Sequence, residues 1–90
     1  MSFIIDFKDI AKKDVVKHQK SGQKILVEKI KIFTFECQTN PRIGTGKPEQ
    51  LKHQKSEIWS RKINEQHRFV YEIKDEFVYV LSVWGHYKDK

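Results

Sequence analysis

Cysteine occurs once, as Cys37, so no intrachain disulfide can staple the fold, and a reducing, cytoplasmic setting is the expectation. The residue itself reads as a small apolar packing group. No apolar run approaches the roughly 20 residues that a membrane helix needs. The opening Met-Ser-Phe-Ile-Ile-Asp lacks the basic flank and long apolar stretch of a secretory signal, so neither insertion nor export is expected. Internal repeats, low-complexity tracts and linkers are absent too. Proline occurs twice and glycine four times, and Pro41, Gly44, Gly46 and Pro48 gather in one segment. That concentration leaves the rest of the chain free to form regular elements.

Ninety residues suit one domain spanning 1–90, with a single core and a thin stability margin. A charged share of 33% beside 38% hydrophobic residues is a globular balance, because Ile, Val, Leu and Phe recur throughout. Eighteen Lys and Arg against 12 Asp and Glu leave a net charge of +6. That surplus suits an anionic partner, a nucleic acid or an acidic protein, although solubility alone would also account for it.

Phe3 to Phe7 reads as a first strand, short and β-branched, ended by Lys8-Asp9. Helical spacing follows. Ile10, Ala11, Val15 and His18 share one face, Lys12, Lys13, Lys17 and Lys20 decorate the other, and Ser21-Gly22 marks the stop. A second helix runs from Gln23 to about Gln38, with Leu26, Ile30, Phe33 and Cys37 at i, i+4, i+7 and i+11. Ile30 to Phe35 also alternates like a strand, but helix continues the established period and ends at Thr39-Asn40-Pro41. Val27, Ile32 and Phe35 fall off the buried line, and ordinary packing is preferred for them over a dimer or partner surface.

Pro41 to Ser56 reads as a long ordered loop. Ile58 to Ile63, His67 to Lys74 and Phe77 to Tyr87 read as strands, with a tight hairpin at Lys74-Asp75-Glu76. The order is βααβββ. It predicts an α+β fold with both N-terminal helices on one face of a mostly antiparallel sheet, leaving the other face as a binding surface.

The histidines, His18, His53, His67 and His86, are scattered and show no ligand spacing, so a metal site is not expected and they read as surface, loop or catalytic groups. Gly44-Thr45-Gly46-Lys47 lacks the spacing of a phosphate loop and precedes Pro48 rather than a helix. No local pattern activates a Ser, Thr or Cys as nucleophile. RNA supplies its own, the 2′-hydroxyl, once a base removes its proton and cations stabilise the charge at phosphorus. Glu49, Lys52, Arg61, Arg68 and His86 contain every group that reaction requires. Each also has an ordinary reading: a solvated loop carboxylate for Glu49, a solvated basic face for Lys52 and Arg61, a surface ion pair with Glu72 for Arg68, and a frayed end for His86. Trp59, Trp84 and Tyr87 are candidates for base stacking, with core packing the stronger default for both tryptophans.

Four segments occur in a telling order: Gly46-Lys47-Pro48-Glu49-Gln50-Leu51-Lys52-His53, Trp59-Ser60-Arg61-Lys62-Ile63, Glu65-Gln66-His67-Arg68-Phe69-Val70-Tyr71, and His86-Tyr87. Together they resemble the YoeB/Txe family of bacterial toxin–antitoxin toxins within the RelE-like superfamily. The N-terminal half is similar only in helical layout. The resemblance implies a ribosome-dependent endoribonuclease that cuts mRNA in the A site without metal or other cofactor. It implies Glu49 as general base, Arg68 as the cation that stabilises the phosphate, and His86 as the acid that protonates the leaving 5′-oxygen. Tyr87 matches the aromatic beside that acid, and Lys52 and Arg61 match basic positions that hold RNA. Implied partners are the ribosome, mRNA and an acidic antitoxin of the YefM/Axe kind, with operator DNA bound only through the antitoxin and homodimerisation by family precedent.

The chain departs from the family pattern at Gln50, where a second proline is common, at Lys62, which replaces an arginine, and in the Lys88-Asp89-Lys90 extension. Two further functions remain open. One is a toxin-fold protein that blocks the ribosome or another target without catalysis; the other is a repressor partner acting on its own operon.

Overall fold

The computed structural model describes residues 2–86. Strand β1 (Ile4–Phe7) leads into helices α1 (Asp9–Ser21) and α2 (Lys24–Thr39), followed by strands β2 (Glu49–Gln50), β3 (Glu57–Lys62), β4 (Arg68–Lys74) and β5 (Phe77–Ser82). Five strands form one sheet in the order β1-β5-β4-β3-β2. Among the described residues only β1 runs parallel to its neighbour, with Ile4 opposite Phe77 and Phe7 opposite Val80. The remaining pairs are antiparallel. The α+β expectation, with helices on one face of a mostly antiparallel sheet, matches this arrangement.

Gly22 ends α1 in the left-handed conformation, at φ 78, and its N–H donates to the Gln19 carbonyl. A side chain with a Cβ would be strained there, which is why glycine closes the turn between the helices. Helix α2 buries Leu26, Ile30, Phe33 and Cys37, the predicted stripe. That stripe lies on Phe69, Tyr71 and Ile73 of β4 and Val78 and Val80 of β5. Phe69 is the hinge of the core, edge-on to Phe33 at 5.6 Å and to Phe7 at 6.4 Å. Burying each such side chain contributes about 1.5–3 kcal/mol.

Four expectations need correction. Glu49-Gln50 lies within the segment read as loop, yet it adds a fifth strand at the sheet edge, with Glu49 opposite Ser60 and Gln50 opposite Trp59. Strand β5 stops at Ser82 instead of running to Tyr87, and Tyr87 lies outside the described residues. Of the surplus apolar residues of α2, packing half-buries Val27 but does not cover the others, since Ile32 is 46% and Phe35 71% exposed. Nor is Ile10 part of the buried face of α1, which consists of Ala11, Asp14 and His18.

Candidate functional site

Strand pleating decides which side chains share a face. Trp59 and Arg61 of β3 lie opposite Tyr71 and Phe69 of β4, whose side chains belong to the core beneath the helices. Ser60 and Lys62 therefore face away from the helices, and so do their partners Val70 and Arg68. Glu49, opposite Ser60, joins that open face. Two strand spacings and two residue rises separate Glu49 from Arg68, about 12 Å between Cα atoms. Two long side chains can span that gap to a phosphate lying between them.

Arg68 is half-buried and tied down at one end. Its Nη1 donates to the carbonyls of Asn64 at 2.6 Å, His67 at 3.2 Å and Glu65 at 3.5 Å, all in the turn between β3 and β4. The turn is itself closed by Asn64, whose Oδ1 accepts from the N–H groups of Gln66 and His67 at 2.9 and 2.8 Å. His86 reaches the same turn, with Nε2 at 3.1 Å from the Glu65 carbonyl. Bonds to the preceding residue hold it there: the Arg68 N–H donates to the Gly85 carbonyl at 3.0 Å, and the Gly85 N–H donates to His67 Nδ1 at 2.9 Å. His86 is thus fixed beside Arg68 rather than frayed. The Glu65 carboxyl is pulled below the usual carboxylate range, first by its hydrogen bond from Lys62 and further by Arg68 and His86.

Glu49 and Lys52 are exposed, on the edge strand and on the turn that follows it. They stand on a loop with a strained backbone. Gly46 has φ 78, and Lys47 and His53 have φ 51 and 65, values that side chains other than glycine adopt rarely. A Cβ on Gly46 would lie 2.6 Å from Phe33 Cζ, so only glycine lets the loop pass this close to the core. The Gly46 carbonyl accepts from the Lys62 N–H at 2.7 Å, which sews the loop to β3 just ahead of Glu49.

Arg61 corrects the sequence reading. Its side chain is wholly buried, and Nη1 pairs with Glu36 at 2.6 Å. Nε donates to the Tyr71 hydroxyl, and the remaining donors go to the carbonyls of Pro41, Ile43 and Thr45. A guanidinium with five donors in a planar fork suits this task, and it presents nothing to a surface-bound RNA. Arg61 instead pins residues 41–45 and, through them, the loop that carries Glu49. Burial pushes the neighbouring Tyr71 hydroxyl up to about 12 and the Cys37 thiol up to about 11.

His18 and His67, read as surface, loop or catalytic groups, are buried at 0% and 7% exposure. With Asp14 and Trp84 they form a cluster that the sequence reading missed. Asp14 and His18 stand one helical turn apart in line with Ala11 and Val15, the signal that both face inward. Trp59 packs against the core, its Nε1–H donating to Glu57 at 2.9 Å. Tyr87 lies outside the described residues. Among the described residues no group of three or more His, Cys, Asp or Glu converges as metal ligands would. Among the described residues no helix is long and apolar enough to cross a membrane.

The family described as the YoeB-like toxin of bacterial type II toxin–antitoxin systems matches residues 7–87. Toxin YoeB of Synechocystis sp. (strain PCC 6803) is 36% identical over 84 residues, 93% of this chain and 96% of that protein. The YoeB/ParE toxin from Agrobacterium tumefaciens superposes with a TM-score of 0.85 at 30% identity, over 94% of this chain and 100% of that one. YoeB from Staphylococcus aureus, solved as a dimer and in complex with YefM, superposes with TM-scores of 0.80 and 0.77 at 33% identity, over 97% of this chain and 100% of that one.

Proposed function

Because the chain belongs to the YoeB-like toxins of bacterial type II toxin–antitoxin systems, we propose that it is an endoribonuclease that cuts mRNA in the ribosomal A site by metal-independent acid–base chemistry. The observation that carries this reading is the meeting of Arg68 and His86 at the Glu65 carbonyl, on a turn whose strand shares the open face with Glu49. A base, a cation and an acid then flank one stretch of bound RNA.

The Glu49 carboxylate removes the proton of a 2′-hydroxyl, and the freed 2′-oxygen attacks the adjacent phosphorus. Negative charge grows on the non-bridging oxygens. Arg68 is permanently cationic and can offer paired donors to two of those oxygens, which a lysine cannot. Nη1 is held by backbone carbonyls, leaving Nε and Nη2 with no hydrogen-bond partner among the described residues and suited to the phosphate. The protonated His86 imidazole gives its proton to the departing 5′-oxygen. The products are a 2′,3′-cyclic phosphate and a 5′-hydroxyl. Lys52 grips a flanking phosphate from the same loop as Glu49, and Tyr87 stacks on a base beside His86.

Glu49 and Lys52 stand exposed at the edge of this face, so walls from elsewhere are needed to fold a strand of RNA into the reactive geometry. The ribosome supplies them in this reading, by presenting mRNA already bent in the A site. An acidic antitoxin holds the toxin inactive in the cytoplasm, supported by the net charge of +6, by the exposed Ile25, Ile32 and Phe35 of α2, and by the S. aureus YoeB–YefM complex. Homodimerisation has the same kind of support from the S. aureus dimer.

The test is to incubate purified protein with translating ribosomes and mRNA, and to map the ends. Cleavage yielding cyclic phosphate that disappears in Glu49→Gln and His86→Ala supports the reading. Arrested ribosomes carrying uncut mRNA would replace it with a non-catalytic block.

A further inference from the structure

We propose that Asp14, His18 and His67 are positioning residues that grip the chain at Val83 and Gly85 and so aim His86; the inference rests on the role given to His86 above. Strand β5 ends at Ser82, and beyond it side chains take over the work of a strand partner. The Val83 N–H donates to Asp14 Oδ2 at 3.0 Å, while the Val83 carbonyl lies 2.6 Å from His18 Nε2. Two residues on, the Gly85 N–H donates to His67 Nδ1 at 2.9 Å and the Gly85 carbonyl accepts from the Arg68 N–H at 3.0 Å. Both polar backbone groups of both residues are captured. His86 follows directly.

Trp84, between the two gripped residues, closes the arrangement. Its ring lies 4.8 Å from His18 and 4.3 Å from His67, the two imidazoles stand edge-to-face at 4.8 Å, and Lys17 Nζ lies 5.5 Å from the Trp84 ring. Asp14 is 2%, His18 0% and His67 7% exposed. Burying a carboxylate and two imidazoles is an expensive way to build a core, and an apolar cluster would stabilise more. What the polar groups supply is direction. A carbonyl must be met by a donor, so His18 carries its proton on Nε2, and its buried Nδ1, which has no hydrogen-bond partner among the described residues, is left as a lone pair. An amide N–H must be met by an acceptor, so His67 Nδ1 carries no proton and accepts from Gly85. Each grip therefore works in one tautomer, and the trace of residues 83–85 is fixed from α1 on one side and from His67 and the first residue of β4 on the other.

The bland alternative is that the cluster stabilises the fold and does nothing for His86. The two separate by measuring His67→Ala and His67→Asn, because the Asn Oδ1 sits where Nδ1 of histidine does and can accept the same N–H. Hydrogen exchange at the Gly85 amide and the ring NMR signals of His86 report the grip without reference to cleavage. In His67→Ala the Gly85 amide exchanges faster and the His86 signals move; on ribosomes kcat falls by about 5- to 10-fold, the equivalent of one hydrogen bond, at unchanged KM. His67→Asn restores all three. Asp14→Asn, which keeps an acceptor for Val83, behaves as wild type, and Asp14→Ala follows His67→Ala. The proposal is overturned if His67→Ala leaves the Gly85 amide and the His86 signals unchanged, or if His67→Asn fails to restore them while remaining folded. Should wild-type protein cleave nothing, the nuclease reading falls, and exchange and ring signals still decide the grip.

Discussion

Arg68 Nη1 and His86 Nε2 meet at a single backbone atom, the Glu65 carbonyl oxygen, at 3.5 and 3.1 Å. The cation and the acid are therefore registered to one turn, although they stand 18 positions apart in the sequence. Arg68→Lys preserves charge but cannot fill both roles of the guanidinium, one nitrogen on the turn and the others on the phosphate. We expect kcat on programmed ribosomes to fall on the order of 10²- to 10³-fold, as when a transition-state donor is removed, with the urea midpoint of the free protein unchanged. Activity and stability falling together would show that the guanidinium serves the fold alone.

Arg61 makes the opposite prediction. Its buried guanidinium pairs with Glu36 at 2.6 Å and holds the carbonyls of Pro41, Ile43 and Thr45. Arg61→Ala removes one donor from the Glu36 carboxylate and from four other acceptors, and we expect a loss of about 3–5 kcal/mol in urea unfolding. Activity should fall only as far as the folded fraction and the placement of Glu49 fall. An RNA-contacting arginine would behave otherwise: truncation would weaken ribosome binding and leave the urea midpoint in place.

That contrast marks where the sequence was legible. The buried stripe Leu26, Ile30, Phe33 and Cys37 follows from helical period alone, and the β4–β5 hairpin from two short runs flanking Asp75-Glu76. Strand β2 was hidden because two polar residues carry no alternation; pairing with Ser60 and Trp59 makes it a strand. Arg61 looked like a surface cation because its counter-ion, Glu36, lies on another element. Yet the pleat held a clue, since Trp59 and Ile63 share its face and both belong to the core. At the site, residue types sufficed to nominate Glu49, Arg68 and His86. The carbonyl hub at Glu65 and the grips on Val83 and Gly85 use backbone atoms, which no side-chain pattern reveals.

Gly46 has φ 78 and passes so close to Phe33 that an added Cβ would sit 2.6 Å from its ring. Gly46→Ala combines a left-handed conformation with overpacking, for which we expect about 1–3 kcal/mol of destabilisation. The substitution lies three residues before Glu49, so the base should shift as well. Single-turnover cleavage by the folded protein, at saturating ribosomes, should slow more than its thermal stability would explain. A variant that loses stability and keeps the single-turnover rate would show that the loop tolerates displacement.

Alkaline pH tests the core beneath the site. Burial raises the Cys37 thiol from 9.0 to about 11 and the Tyr71 hydroxyl from 10.0 to about 12. Both groups are neutral when protonated, so below pH 9 folded and unfolded chains hold the same protons and the full stability is present. As pH rises from about 9 to about 11 the unfolded chain gives up the Cys37 proton while the folded chain keeps it. The unfolded state then binds fewer protons, and unfolding becomes easier with each step in pH. A rise of this size in the thiol corresponds to roughly 3 kcal/mol, and Tyr71 adds its own loss from about pH 10 upward. Urea melts between pH 8 and pH 10.5 should show this decline. Cys37→Ala, less stable throughout because it opens a small cavity, should decline less steeply over pH 9 to 10.5. Parallel slopes in the two proteins would place the alkaline loss elsewhere than at the buried thiol.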